Sequence, residues 1–293
     1  MNRILLLGGS GNLGSEVLRK LQLMDVEYVA PQSTDLDVRD WYSMQTYVRD
    51  FKPDWIINCT AWTDVDGAED SFEAALALNE TAVRNIAEVA KQIKSRIIHV
   101  STDYVFDGTS PQPYDENAQV QPLNKYGESK LRGENVLLDL IPRMSYIIRT
   151  SWIYGLSGKN FVKTIAAKAL RDELAQVVDD QIGSPTNARD LAKAIISITN
   201  NPLTPGIYNF SNRGICSWYE LARTIYIKVG ADPTLVEAIS TSSLSLKAKR
   251  PKYSLLSKDK WESTGLSKIP EWEISLASIL PEIITEIQRT GQQ

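Results

Sequence analysis

Residues 4–14 read Ile4-Leu5-Leu6-Leu7-Gly8-Gly9-Ser10-Gly11-Asn12-Leu13-Gly14. The change within them from an apolar run to glycines decides the fold class. Four uninterrupted apolar residues are the mark of a central parallel strand covered on both faces. After the glycines, Val17, Leu18 and Leu21 recur at helical spacing. Glycines at 8, 11 and 14 suit a strand–turn–helix that brings a pyrophosphate against a helix N-terminus. Gly8 permits the turn, Gly11 the close approach, and Gly14 the packing of helix on strand, with Asn12 and Leu13 as further contacts to a bound dinucleotide. A glycine turn alone is a weak signal. Here it follows a strand directly and opens a helix, which favours nucleotide binding over an ordinary βα turn.

The same rhythm continues along the chain. Val26–Ala30, Asp54–Asn58, Arg96–Val100 and Ser145–Arg149 read as strands. Between them, Trp41–Phe51, one long helix over Ala68–Lys94, and Asn124–Leu140 read as helices. Strands and helices alternating in this way predict an α/β fold, a doubly wound parallel sheet of the Rossmann type. Beyond Gly155 the rhythm changes. Helices over Asn160–Arg171, Asn187–Thr199 and Ser217–Val229 alternate with short strands over Ala175–Val178 and Gly206–Phe210. The expected division is a dinucleotide-binding domain over 1–155, plus segments returning from the C-terminal half, and a smaller substrate lobe formed mainly by 156–293.

The chemistry is concentrated between His99 and Lys130. The fourth strand ends on two hydroxyls, Ser101 and Thr102, and the helix after the Pro-rich stretch 107–121 carries Tyr126 and Lys130. Residues four apart share one helix face, so phenol and ammonium project into the same space. A lysine cation beside a phenol favours the phenolate and lowers its pKa. Thr102, Tyr126 and Lys130 thus form a candidate acid/base device for interconverting a carbonyl and an alcohol. Ala61, Trp62 and Thr63 follow the third strand at the edge where ligands collect in such sheets. Asp37 and Val38 fall in the loop that approaches the adenine of a dinucleotide in folds of this kind. The turn Ala30–Thr34 has neither a carboxylate for a ribose nor an arginine for a 2′-phosphate, so NADPH and NADH both remain open.

Composition narrows the class. With 293 residues and a net charge of −4, the chain buries a large core and offers no basic field for nucleic acid. The apolar run near the N-terminus is too short for a signal segment or a membrane span. Two cysteines, Cys59 and Cys216, fit a reduced, cytoplasmic setting. No ligand cluster argues for a metal, and His99 reads as a packed core residue. Lys247-Ala248-Lys249-Arg250-Pro251-Lys252 sets four positive charges together with no acid nearby in the sequence. Such a run is usually a solvated face, though here it could meet a diphosphate.

Taken together, these motifs resemble the extended short-chain dehydrogenase/reductase family, and within it the dTDP-4-dehydrorhamnose reductase branch. The matching stretches include GGSGNLG at 8–14, DWIINCTAWTDVDGAE at 54–69, STDYVFDG at 101–108 and YGESK at 126–130. They continue through RTSWIYG at 149–155, VVDDQIGSPT at 177–186, CSWYELA at 216–222 and RPKYSLL at 250–256, covering nearly the whole chain. The resemblance implies NADPH- or NADH-dependent reduction of dTDP-4-dehydro-β-L-rhamnose to dTDP-L-rhamnose. It implies Tyr126 as proton donor to the C4 oxygen, Lys130 on the nicotinamide ribose, and Thr102 on the reacting oxygen. It further implies Asp103, Tyr104 and Trp152 as contacts to the sugar or its nucleotide, and Arg250 and Lys252 as diphosphate contacts. A homodimer is the expected assembly. Some relatives hold Mg²⁺ at a dimer contact, but the carboxylate cluster that such a cation needs is not evident in this sequence.

Two other classes compete. A nucleotide-sugar dehydratase or epimerase shares the fold, but a dehydratase of this type carries Asp-Glu after the threonine, and here Asp103 precedes Tyr104. An epimerase regenerates its NAD and consumes none. A non-catalytic regulatory subunit that binds NADP has no need of Thr102, Tyr126 and Lys130 together.

Overall fold

A computed structural model, which describes residues 2–290, turns the apolar runs into a six-stranded parallel sheet. Its strands are β1 (Arg3–Leu7), β2 (Glu27–Val29), β3 (Trp55–Asn58), β4 (Arg96–Thr102), β5 (Ser145–Thr150) and β6 (Gly206–Asn209). They lie in the order β6-β5-β4-β3-β1-β2. The order reverses between β1 and β3, and the crevice at their carboxyl ends is where doubly wound sheets hold ligands. Alternation along each strand feeds two layers. Ile4 and Leu6 join Ile57, Ile98 and Ile148 on one face. Leu5 and Leu7 join Ile56, Ile97 and Ile147 on the other.

Helix α1 (Asn12–Leu21) lies on the first face with the helix Ala188–Asn200. Helices α2 (Trp41–Phe51), α3 (Ala82–Ile93) and α4 (Lys125–Leu140) cover the second. The segments 188–200 and 206–209 therefore complete the nucleotide half from far along the chain. A separate apolar cluster joins the helices Phe161–Ala169, Trp218–Val229 and Trp272–Thr290 through Ile165, Ile225, Leu276 and Ile279. No helix among the described residues is long and apolar enough to cross a membrane.

The glycine turn behaves as its spacing predicts. Gly8 sits at φ +79°, a left-handed conformation open mainly to glycine. A side chain on Gly14 would run into the Gly8 carbonyl. Gly14→Ala should lower the unfolding free energy by about 1–3 kcal/mol in urea titrations. Gly9→Ala, whose methyl would meet Ala30 and Leu6 at 3.5 Å, should stay close to neutral.

The long helix expected over Ala68–Lys94 is broken. Short turns at Gly67–Asp70 and Phe72–Leu76 lead into a π-helical segment, Ala77–Thr81, before α3 begins. The cause is Asn79, wholly buried in that segment. Its Nδ2 donates to the Trp62 carbonyl (3.1 Å) and to Ser129 Oγ (2.8 Å), while its Oδ1 accepts from the Trp62 N–H (2.9 Å). The wide turn delivers one amide to two other elements, a use typical of π-bulges. The polar stretch 107–121 is likewise tied down. Tyr114 N–H donates to the Leu255 carbonyl at 2.8 Å, and Glu116 Oε1 accepts from the Asn209 N–H at 2.8 Å.

Candidate active site

The carboxyl ends of β1, β3, β4 and β5 open into a cavity of about 540 Å³, a size usual for small-molecule sites. At one end stands the N-terminus of α1. Gly11 starts the helix without a side-chain cap, and its first turn holds no acid. Gly11, Asn12 and Leu13 line the cavity, so unpaired helix N–H groups are available to an anion. This end fits a dinucleotide pyrophosphate. Asn12 also ties the turn to the lobe, its Nδ2 donating to the Ile153 carbonyl at 3.4 Å.

At the other end stand the acid/base groups. Thr102, Asp103, Tyr104, Tyr126 and Lys130 all line the same cavity. Helix α4 is fixed there by its cap, with Asn124 Oδ1 accepting from the Gly127 N–H at 2.8 Å. Gly127 lies so close to the Tyr104 carbonyl that any side chain would collide with it. The Tyr126 and Tyr104 rings consequently meet edge to face, centroids 5.6 Å apart. Thr102 Oγ1 donates to Asp103 Oδ1 at 3.1 Å and accepts from the Tyr104 N–H at 3.2 Å.

The electrostatics correct one expectation. Lys130 does not bring the phenol down toward neutral pH. Burial pushes the Tyr126 hydroxyl up to about 12, with a hydrogen bond from Thr102 opposing it and the Asp103 charge adding to it. The lysine reaches past the phenol to β4, where Nζ donates to the Val100 carbonyl at 2.7 Å and lies 3.3 Å from His99 Nε2. Burial lowers Lys130 itself to about 8. The phenol is therefore protonated at neutral pH, the state a proton donor requires. Ser101, paired with Thr102 in the sequence, turns away to donate to Glu134 Oε1 at 2.5 Å. There Glu134 holds Arg149 in a buried ion pair at 2.6 Å.

Burial raises Asp103 to about 6, hydrogen bonds from Ser254 and Thr102 opposing it. Its folded pKa thus exceeds the ordinary 3.8, so the folded state binds the proton more tightly and gains stability as pH falls from about 6 toward 3.8. In Asp103→Asn this gain disappears. The stability difference between wild type and variant should change by about 2–3 kcal/mol between about pH 8 and about pH 4, read from urea midpoints. A difference independent of pH would contradict the assignment.

Other expected contacts divide. Ala61 and Thr63 line the cavity. Trp62 does not; its backbone is clamped by Asn79 and its indole N–H donates to the Asp64 carbonyl at 2.8 Å. Asp37 and Val38 also lie outside it. Asp37 pairs with Arg39 at 2.8 Å, and Val38 is packed into the apolar layer. Gly8 and Gly14 shape the turn without lining the cavity. Arg250, expected on a diphosphate, is held by Asp66 at 2.7 Å, while Lys247 pairs with Asp70. The sequence hides these acids because they are remote along the chain. Lys252 is exposed and is not part of the cavity wall.

Trp152 lines the cavity at φ +48°, a strained conformation for a bulky residue. Its ring stacks on Trp218 with centroids 3.8 Å apart, and Phe161 lies 4.5 Å from Trp218. Gly183 leaves the room, since a side chain there would meet the Trp152 ring. Trp218 and the exposed Lys159 at the rim are site residues that the sequence reading passed over. The only local signal was an aromatic in CSWYELA and a lysine after Gly158.

Known proteins point the same way. A family model described as "RmlD substrate binding domain" matches residues 1–285. A Streptomyces niveus protein named dTDP-4-keto-6-deoxy-D-glucose reductase is 37% identical over 280 residues, 96% of this chain and 97% of its own. A Mycobacterium tuberculosis dTDP-4-dehydrorhamnose reductase is 35% identical over 294 residues, 98% of this chain and 96% of its own. The crystal structure of Bacillus anthracis dTDP-4-dehydrorhamnose reductase in complex with NADP superposes with a TM-score of 0.92 at 35% identity, covering 96% of this chain and 99% of that one. With the glycine turn, the paired tyrosine and lysine and the parallel sheet all accounted for along its length, the chain belongs to the RmlD substrate binding domain family.

Proposed function

We propose that the protein reduces the C4 ketone of a dTDP-linked 4-keto-6-deoxy sugar, converting dTDP-4-dehydro-β-L-rhamnose to dTDP-L-rhamnose. The observation that carries this reading is the convergence of Thr102, Tyr126 and Lys130 on one cavity with the uncapped start of α1. Bound NADPH, or NADH, supplies the hydride. Asn12 and Leu13 would hold its pyrophosphate through helix N–H groups, and Gly11, whose own N–H is spent on the Gly8 carbonyl, leaves room for the approach. Thr102 hydrogen-bonds the ketone oxygen and fixes it near the phenol. Tyr126 gives that oxygen its proton, a transfer suited to a phenol that burial keeps protonated. Lys130 hydrogen-bonds the cofactor ribose and stabilises the charge that develops on the phenol. Asp103, Tyr104 and Trp152 contact the sugar nucleotide, with Trp218 backing Trp152.

On this reading residues 1–155, joined by 188–209, hold the cofactor, and the rest of 156–293 forms the sugar-nucleotide lobe; its separate apolar cluster supports the division. Lys159 is better suited than Arg250 to meet the diphosphate, because Arg250 is already neutralised by Asp66. The expected homodimer is tested by sedimentation equilibrium.

The deciding assay supplies the 4-keto sugar from dTDP-glucose with a 4,6-dehydratase and a 3,5-epimerase, then follows the reduced-nicotinamide absorbance. Stoichiometric oxidation with formation of dTDP-L-rhamnose is expected. Turnover of the sugar without net oxidation would instead mean an epimerase, and no turnover a binding subunit.

A further inference from the structure

The chain has one histidine, and the chemistry above leaves it idle although it is wholly buried beneath Lys130. His99 Nδ1 faces Asn58 Nδ2 at 3.1 Å, and His99 Nε2 faces Lys130 Nζ at 3.3 Å. Which ring nitrogen carries the proton follows from Thr60. The Thr60 N–H can only donate, and it donates to Asn58 Oδ1 at 3.0 Å; the Thr60 hydroxyl donates to the same oxygen at 2.6 Å. The amide oxygen is thereby fixed on Thr60 and the amide NH₂ on the imidazole. A donor opposite Nδ1 makes that nitrogen the acceptor, so the proton of the neutral ring sits on Nε2. That N–H points at Lys130. An ammonium there would set N–H against N–H, whereas the free amine offers a lone pair and can still donate to the Val100 carbonyl.

We propose that His99, locked as its Nε2–H tautomer by Thr60 and Asn58, is a positioning residue that donates to the free amine of Lys130 and so makes this lysine a group that gains and loses its proton in the neutral range. The burial that brings Lys130 to about 8 acts in the same direction. His99 does not take the proton itself, because burial, aided by Lys130, holds it well below its ordinary value. The other groups around the amine leave His99 as the adjustable one. Glu134, one turn along α4, favours the charged lysine but is shared with Arg149 and Ser101. Cys59 at the end of β3 is pushed up to about 12 by burial and stays a thiol. Tyr126, one turn earlier, is protonated. Asp103, in the turn after β4, acts on Tyr126.

A single histidine makes the test direct. Protein carrying ¹⁵N-labelled histidine gives one ring spectrum, and its long-range proton–nitrogen correlations identify the tautomer. The neutral Nε2–H form is expected from about pH 6 to about pH 9, with a step in the Nε2 shift where Lys130 titrates. Asn58→Asp, nearly isosteric, presents an acceptor to Nδ1. It should move the ring proton there, leave the Nε2 lone pair to a Lys130 ammonium, and raise the titration step by about one pH unit or more. His99→Phe removes the donor, and in it the alkaline limb of reduction should move up in the same direction. A merely structural role would lower the rate at every pH and leave the limb in place. An Nδ1–H ring in the wild type, or a step and limb that stay put in both variants, overturns the proposal. The limb depends on the reductase reading whereas the spectra do not, so the two can fail separately.

Discussion

Tyr126→Phe should lower kcat by about 10²- to 10⁴-fold, the range that a positioned proton donor contributes, while Kd for NADPH stays within about twofold. The ring is retained, so its edge-to-face contact with Tyr104 survives, and only the proton is removed. Stopped-flow oxidation of NADPH under single-turnover conditions isolates the step, because product release no longer contributes. A variant that turns over at the wild-type rate would transfer the donor's role to another group. Asp103 would be the first to examine, since burial brings its carboxyl to about 6.

Lys130→Met should weaken two quantities at once. The thioether fills much of the volume of the lysine stem, so folding is largely spared, but the bond to the Val100 carbonyl and the proposed bond to the ribose are lost. A hydrogen bond to a charged group contributes about 1.5–3 kcal/mol. Kd for the cofactor should therefore rise by about 10- to 100-fold, measured by fluorescence titration. The rate at saturating cofactor should also fall by about 10²-fold or more, because developing charge on Tyr126 loses its counter-ion. Lost rate with unchanged affinity would remove the ribose contact and keep the electrostatic one.

How much could be read from the sequence depended on how local each signal was. The β1–glycine–α1 unit was readable because strand, turn and helix lie within about twenty residues and each has its own periodicity. Tyr126 and Lys130 were readable for the same reason, since helical spacing alone puts them on one face. Lys130's partner was not: the contact with His99 depends on how α4 packs over β4. The helix expected over Ala68–Lys94 failed because apolar periodicity runs on through a π-bulge, and only the polarity of buried Asn79 marks the place. Arg250 has a partner that the sequence conceals. Its countercharge, Asp66, lies 184 residues earlier, and a charge run looks free when its partner is that remote. Trp218 escaped notice because the lobe brings it to Trp152 through tertiary packing.

The return of residues 188–209 to the nucleotide half sets the timetable of biosynthesis. The helix Ala188–Asn200 covers α1 and β6 closes the β5 side of the sheet, yet translation delivers these pieces long after α1. At roughly 5–20 residues per second, the first strands wait roughly 10–40 s on the ribosome before their cover emerges. α1 shows an oily flank throughout that interval, and β5, once made, is a bare edge until β6 follows, both invitations to self-association. A fragment stopped near residue 155 would stay in that condition permanently, so nascent-chain chaperones should bind this protein until about residue 210 has left the exit tunnel.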